Sequence, residues 1–102
     1  MNDMNDKAEA VSKYLKGIAS PHRLLLLCSM AEGEKSVTEL MEATGLAQSS
    51  ASQHLAKLRE EGAVSYRREH RTLYYSISSK LTQDIMALLY QEFCQNKENI
   101  NV

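Results

Sequence analysis

Gln48, Ser49, Ser52 and Gln53 both donate and accept hydrogen bonds, and their spacing puts them on one side of a helix. Side chains of this kind read base edges in the major groove of DNA, where each base pair shows its own pattern of donors and acceptors. A helix face that is merely solvated usually carries more charge. Lys57 lies further along the same stretch, and Arg67, Arg68 and Arg71 crowd together beyond it. Cations so placed meet backbone phosphates or enter the minor groove, adding affinity with little sequence information. The net charge of −1 speaks against a nucleic-acid partner only as a global sum. Residues 43–80 hold six basic and three acidic side chains, against five and seven before them and one and three after. The middle of the chain is its only net-positive part.

Cys28 and Cys94 belong to no C-x-x-C pair, so neither a zinc-ribbon nor a thioredoxin-like spacing is present. In a reducing compartment a structural disulfide is not expected, which leaves either small apolar core side chains or a redox-sensitive pair. Neither of the histidines His22 and His54, nor His70, stands four residues from another strong ligand. With two separate cysteines they do not make the four-ligand set that zinc prefers, so no metal site is expected. No nucleophile, base and orienting group form a constellation, so the chain is not expected to be an enzyme, to hold a catalytic residue or to need a cofactor. No apolar run approaches the ~18 residues that span a membrane, and the N-terminus is polar and acidic. The expectation is a cytoplasmic protein with no membrane partner, folded as one domain over residues 1–102.

The elements that must position these groups follow from periodicity and caps. From about Asp6 to Lys16, Ala10, Tyr14 and Leu15, with Ile18 just beyond, give one apolar stripe that Gly17 is expected to end or bend. Ser20 and Pro21 launch a second helix through Leu24, Leu25, Leu27, Cys28 and Met30 to Gly33. Ser36-Val37-Thr38-Glu39 has the spacing of a reciprocal capping box and opens a short helix closed by Gly45. The next helix runs from Gln48 to Glu61, with Ala51, Leu55 and Leu58 as its buried edge, and Gly62 stops it. The period then changes to two. Val64 and Tyr66, then Leu73, Tyr75 and Ile77, alternate with polar neighbours and predict two strands around a tip at Glu69-His70-Arg71. A last helix is expected over Ser79 to Gln95, with Leu81, Ile85, Leu88, Leu89 and Phe93 at helical spacing and a frayed tail over 96–102.

A mainly α chain with a small β-hairpin, in which two short helices meet at a tight turn and a basic hairpin follows, has the layout of a winged helix-turn-helix. Tyr14, Leu15, Ile18, Leu88, Leu89 and Phe93 offer more apolar surface than one small domain buries, which predicts a homodimer held by the first and last helices.

Ser20-Pro21-His22-Arg23-Leu24, Ser36-Val37-Thr38-Glu39-Leu40, Ser52-Gln53-His54-Leu55, Leu58-Arg59-Glu60-Glu61-Gly62 and Arg67-Arg68 ahead of Leu73-Tyr74-Tyr75 together resemble the ArsR family over about residues 10–94. The resemblance implies a homodimer that binds double-stranded, inverted-repeat operator DNA and represses transcription. Its element order would be α-α-α, recognition helix, β-β, α. Ala47 departs from the Ser or Thr cap of many relatives, at a cost of about 1 kcal/mol to the recognition helix. The family's metal sites lack counterparts: Ser36–Leu40 contains no cysteine or histidine, and the last helix offers Asp84 and Glu92 without a histidine. One cysteine in the second helix and one near the end of the last resemble the sulfide- and persulfide-sensing branch. That likeness implies a thiol switch, in which a reactive sulfur species or oxidant links Cys28 to Cys94 and derepresses the operator. Neither cysteine has a cation beside it in sequence, so reactivity is expected to come from an activated donor, or from Arg23 or a residue of the partner chain approaching in three dimensions. The alternatives are a repressor that answers to a metal or to no small effector, with structural cysteines, and a winged helix that docks protein instead of DNA.

Overall fold

The computed structural model describes residues 2–95, and the expected frayed tail at 96–102 lies outside them. Helices α1 (Asn2–Ile18), α2 (Pro21–Ser29), α3 (Val37–Thr44), α4 (Gln48–Glu60) and α5 (Lys80–Tyr90) are joined by strands β1 (Lys35–Ser36), β2 (Val64–Glu69) and β3 (Thr72–Ile77). A π-helical turn, Gln91–Gln95, extends α5. The fold is a winged helix-turn-helix.

Local chemistry sets the boundaries. Ser20 accepts a hydrogen bond from the Arg23 N–H at 3.1 Å, with Pro21 at the first helical position where its missing N–H is not needed. Ser36 and Glu39 form both halves of the capping box, at 3.1 and 2.8 Å, so two otherwise orphaned amides open α3 satisfied. Gly45 closes α3 at φ 77°, a left-handed conformation that a Cβ disfavours. Ala47 gives α4 no side-chain cap, as expected.

Leu26 and Leu27 of α2, Leu40 of α3 and Leu55 and Leu58 of α4 are fully buried, each removal from water being worth roughly 1.5–3 kcal/mol. Ile18, Val64, Tyr75, Ile77 and Met86 complete the same cluster. Thr82 is the one buried polar residue among those described, and it hydrogen-bonds Tyr14, tying α5 to α1.

Several expectations change. α1 ends at Ile18, one residue past Gly17, which is itself a buried helical residue with the Glu61 side chain where its Cβ would stand. The two-residue strand β1 was not foreseen, and with it the hairpin becomes a three-stranded antiparallel sheet in the order β1-β3-β2. Glu69 pairs with Thr72, so the tip is His70-Arg71 alone, with the positive φ of 59° on His70 that a two-residue hairpin demands. Regular α5 stops at Tyr90 and not Gln95. Ile18 belongs to the chain's own core, and Tyr14 and Leu89 pack partly against it, so these three are not the surplus apolar surface they were taken for. Leu15, Leu88 and Phe93 do stay exposed, joined by Met4 and Val11.

Candidate functional site

The turn at Gly45 delivers α4 across α3. Because Ala51, Leu55 and Leu58 face the core, Gln48, Ser49, Ser52 and Gln53 are left exposed on the opposite side, where no described residue hydrogen-bonds their side chains. The face is polar, uncharged and unobstructed, as a surface for base edges must be. Lys57 is half-buried and 3.7 Å from Glu60, so part of its charge is already answered.

The wing sorts its arginines by strand alternation. Arg68 pairs across from Leu73, on the same side of β2 as Val64 and Tyr66, and is exposed with no ion pair among the described residues. Arg71 is exposed at the tip. Arg67 points to the other side and is occupied. It meets Glu34 at 2.6 Å and Glu69 at 3.0 Å and lies over the Tyr74 ring, 4.7 Å from its centre. The hydrogen bond from Arg67 holds the Glu34 carboxyl below its usual range, and the two carboxylates raise Arg67 further above its own. Of the wing arginines, Arg67 is therefore the one least available to phosphate. Arg59 stacks over Tyr66 at 4.6 Å, linking the end of α4 to β2. Sequence reasoning missed Glu34, Tyr66 and Tyr74, and the run of tyrosines beside arginines in the strands was the available signal.

Cys28 and Cys94 line one groove. Helix α2, α5 with its π-helical end and the edge of β3 bound a groove of about 1140 Å³ lined mainly by apolar side chains, among them Leu24, Leu25, Met86, Leu89, Tyr90 and Phe93. Both cysteines line it and both are exposed in the single chain, so Cys28 is not one of that chain's buried core residues. Its charged lining residue is Glu32. Arg23, a candidate cation for the thiols, is turned elsewhere: it donates to His54 Nδ1 at 3.2 Å and to the Gly17 carbonyl at 2.9 Å. Asp84 on α5 is paired with Lys80 at 2.9 Å. No group of three or more potential metal ligands occurs among the described residues.

Known proteins share the fold and much of the sequence. The family described as bacterial regulatory protein, arsR family, matches residues 20–66. The biofilm growth-associated repressor of Xylella fastidiosa is 36% identical over 96 residues, covering 94% of this chain and 84% of that protein. The transcriptional activator HlyU of Vibrio cholerae is 37% identical over 95 residues, 93% of this chain and 88% of that one. The structure of reduced HlyU superimposes with a TM-score of 0.87, covering 93% of this chain and 100% of that one. The homodimeric winged helix-turn-helix DNA-binding domain of Mb0332 from Mycobacterium bovis, 29% identical, gives a TM-score of 0.81 over 94% of this chain and 88% of that one.

Proposed function

Since the chain belongs to the ArsR family of bacterial transcriptional regulators, we propose that it is a cytoplasmic, homodimeric repressor that releases operator DNA when Cys28 and Cys94 are joined through sulfur. Residues 1–102 act as one DNA-binding unit. In each subunit Gln48, Ser49, Ser52 and Gln53 read base edges, while Arg68 and Arg71, with Lys57 and Arg67 contributing less, hold phosphates. Two recognition helices about 34 Å apart then enter successive major grooves of an inverted repeat.

The observation that carries the regulatory half is the shared groove. Two cysteines far apart in sequence are exposed in one apolar cleft between α2 and α5, where a sulfur donor can reach both. One thiolate takes the outer sulfur of a persulfide RSSH and expels RS−. The other thiolate attacks the Sγ that now carries that sulfur, expels HS− and leaves a disulfide. If both cysteines are persulfidated first, the outer sulfur of one attacks the Sγ of the other, and loss of HS− leaves a trisulfide. The donor is the oxidant, reduced to thiol and sulfide. A disulfide needs Cα atoms within about 7 Å, while an inserted sulfur spans a wider gap. Either link ties α2 to α5 and rotates the recognition helices out of register. A difference of about 1–3 kcal/mol between linked and reduced states changes affinity roughly 5- to 150-fold.

The test begins by selecting a duplex from a randomised library with the reduced protein. Affinity for that duplex is then titrated after exposure to an organic persulfide, to peroxide and to zinc, with mass spectrometry on the same samples. The expected result is loss of binding with persulfide and a link between Cys28 and Cys94, both abolished in Cys28→Ser and Cys94→Ser. Undiminished release of either variant by persulfide would return the cysteines to a structural role.

A further inference from the structure

His54 follows Gln53 directly in α4, but it is half-buried where Gln53 is exposed. Its Nδ1 accepts the Arg23 Nε–H at 3.2 Å, and its ring lies 5.5 Å from that of His22. The same guanidinium donates through Nη1 to the carbonyl of Gly17 at 2.9 Å and, at 3.5 Å, to that of Lys16. These carbonyls belong to the last turn of α1, where no further helical N–H is present to bond them. A planar, forked cation is the side chain suited to hold an imidazole and two carbonyls at once.

We propose that Arg23 is a positioning residue for DNA reading, bolting the recognition helix at His54 to the end of α1, and that only the neutral imidazole of His54 seats the bolt. Nδ1 accepts a proton-bearing donor, so it carries no proton itself. Protonation turns it into a donor facing a guanidinium, and the contact opens. Burial first, then the charges of Arg23 and His22, keep His54 neutral to a lower pH than an ordinary histidine, so the bolt holds at neutral pH. The last two turns of α1 carry Lys13 and Lys16, the last turn of α4 carries Lys57, Arg59 and Glu60, and Glu61 follows it, 4.0 Å from Lys13. Added positive charge on the other two histidines, His22 and the wing-tip His70, would strengthen attraction to DNA and not weaken it. A fall in affinity on acidification is thus the signature of His54.

The inference rests on α4 being the helix that reads DNA. The experiment measures affinity for the duplex selected by the parent and for a scrambled duplex, at about pH 7.5 and about pH 5.5, with thermal midpoints on the same samples. The parent is expected to lose selected-duplex affinity by about two- to fivefold on acidification, less than the roughly tenfold that an unshifted histidine would give over this range. His54→Gln, whose amide oxygen accepts a hydrogen bond but does not titrate, is expected to bind within about threefold of the parent at the higher pH and to lose little at the lower. His54→Phe, which cannot accept, is expected to bind weakly at both. Arg23→Lys, which loses the fork, is expected to bind less tightly than the parent at the higher pH. An acid-side loss in His54→Gln equal to the parent's overturns the proposal, as does parental affinity in His54→Phe. If His54→Phe fails to fold, the His54→Gln profile still decides. Gln53→Ala, run in parallel, tests the underlying reading separately: equal losses on selected and scrambled duplexes remove α4 as the reader whatever His54 does.

Discussion

Arg67 and Arg68 are neighbours in sequence with opposite fates, because alternate residues of β2 face opposite sides of the sheet. Arg68 is exposed and carries no ion pair among the described residues, while Arg67 is held by Glu34 and Glu69. Glu34 is therefore a brake on the wing. Glu34→Gln is expected to release part of the Arg67 charge, raising affinity for random duplex a few-fold at low salt and steepening the log–log salt dependence by about one unit. An unchanged salt slope in that titration would mean that the freed guanidinium never reaches phosphate. Acid acts in the same direction as the substitution. Because the carboxyl of Glu34 is lowered in the folded protein, its contribution to folding is present above its ordinary range and is lost as pH falls through the lowered one. At neutral pH the clamp is closed.

The helices were legible in the sequence because their signals are local. The Ser36–Glu39 capping box, Pro21 after Ser20, and glycines at 45 and 62 each act within a turn or two of themselves. That Gln48, Ser49, Ser52 and Gln53 would be exposed was legible for the same reason, since Ala51, Leu55 and Leu58 fix which side of α4 looks outward. Contacts that need a long-range partner were not. A two-residue strand such as β1 leaves no period to detect, so neither the third strand nor the seat of Glu34 beside Arg67 could be read. The shared groove of the cysteines likewise depends on α5 returning to α2. Ala47 supplies a test at this scale. Its backbone already has the extended conformation of a cap, but its side chain makes no capping bond. Ala47→Ser is expected to raise unfolding stability by about 1 kcal/mol, measured by chemical denaturation, with the slope of the transition unchanged.

As a whole the chain is less compact than its length allows. Its radius of gyration is 15.1 Å, against about 13 Å for a compact domain of this size. The excess fits α1, whose residues Asp3–Lys13 are all exposed. So long an unsupported run is marginal as an isolated helix. Met4, Ala8, Val11 and Leu15 line a shallow apolar strip along it, and on α5 Leu88 is 64% and Phe93 70% exposed. The proposed second copy would cover these strips and account for both. Leu15→Glu combined with Leu88→Glu is expected to give monomers in sedimentation at micromolar concentration and to abolish tight binding to the selected duplex; a persisting dimer would place the interface elsewhere. The sheet adds a mechanical consequence. β1 grips β3 only at Tyr74 and Tyr75, so beyond that point the wing is a two-stranded ribbon with nothing else holding its backbone. It is a cantilever, stiff at the root and compliant at the tip. Its free end, where Arg71 and His70 sit, can follow a phosphate backbone as groove width varies from one sequence to the next, while the clamped root keeps Tyr66 and the end of α4 in fixed alignment.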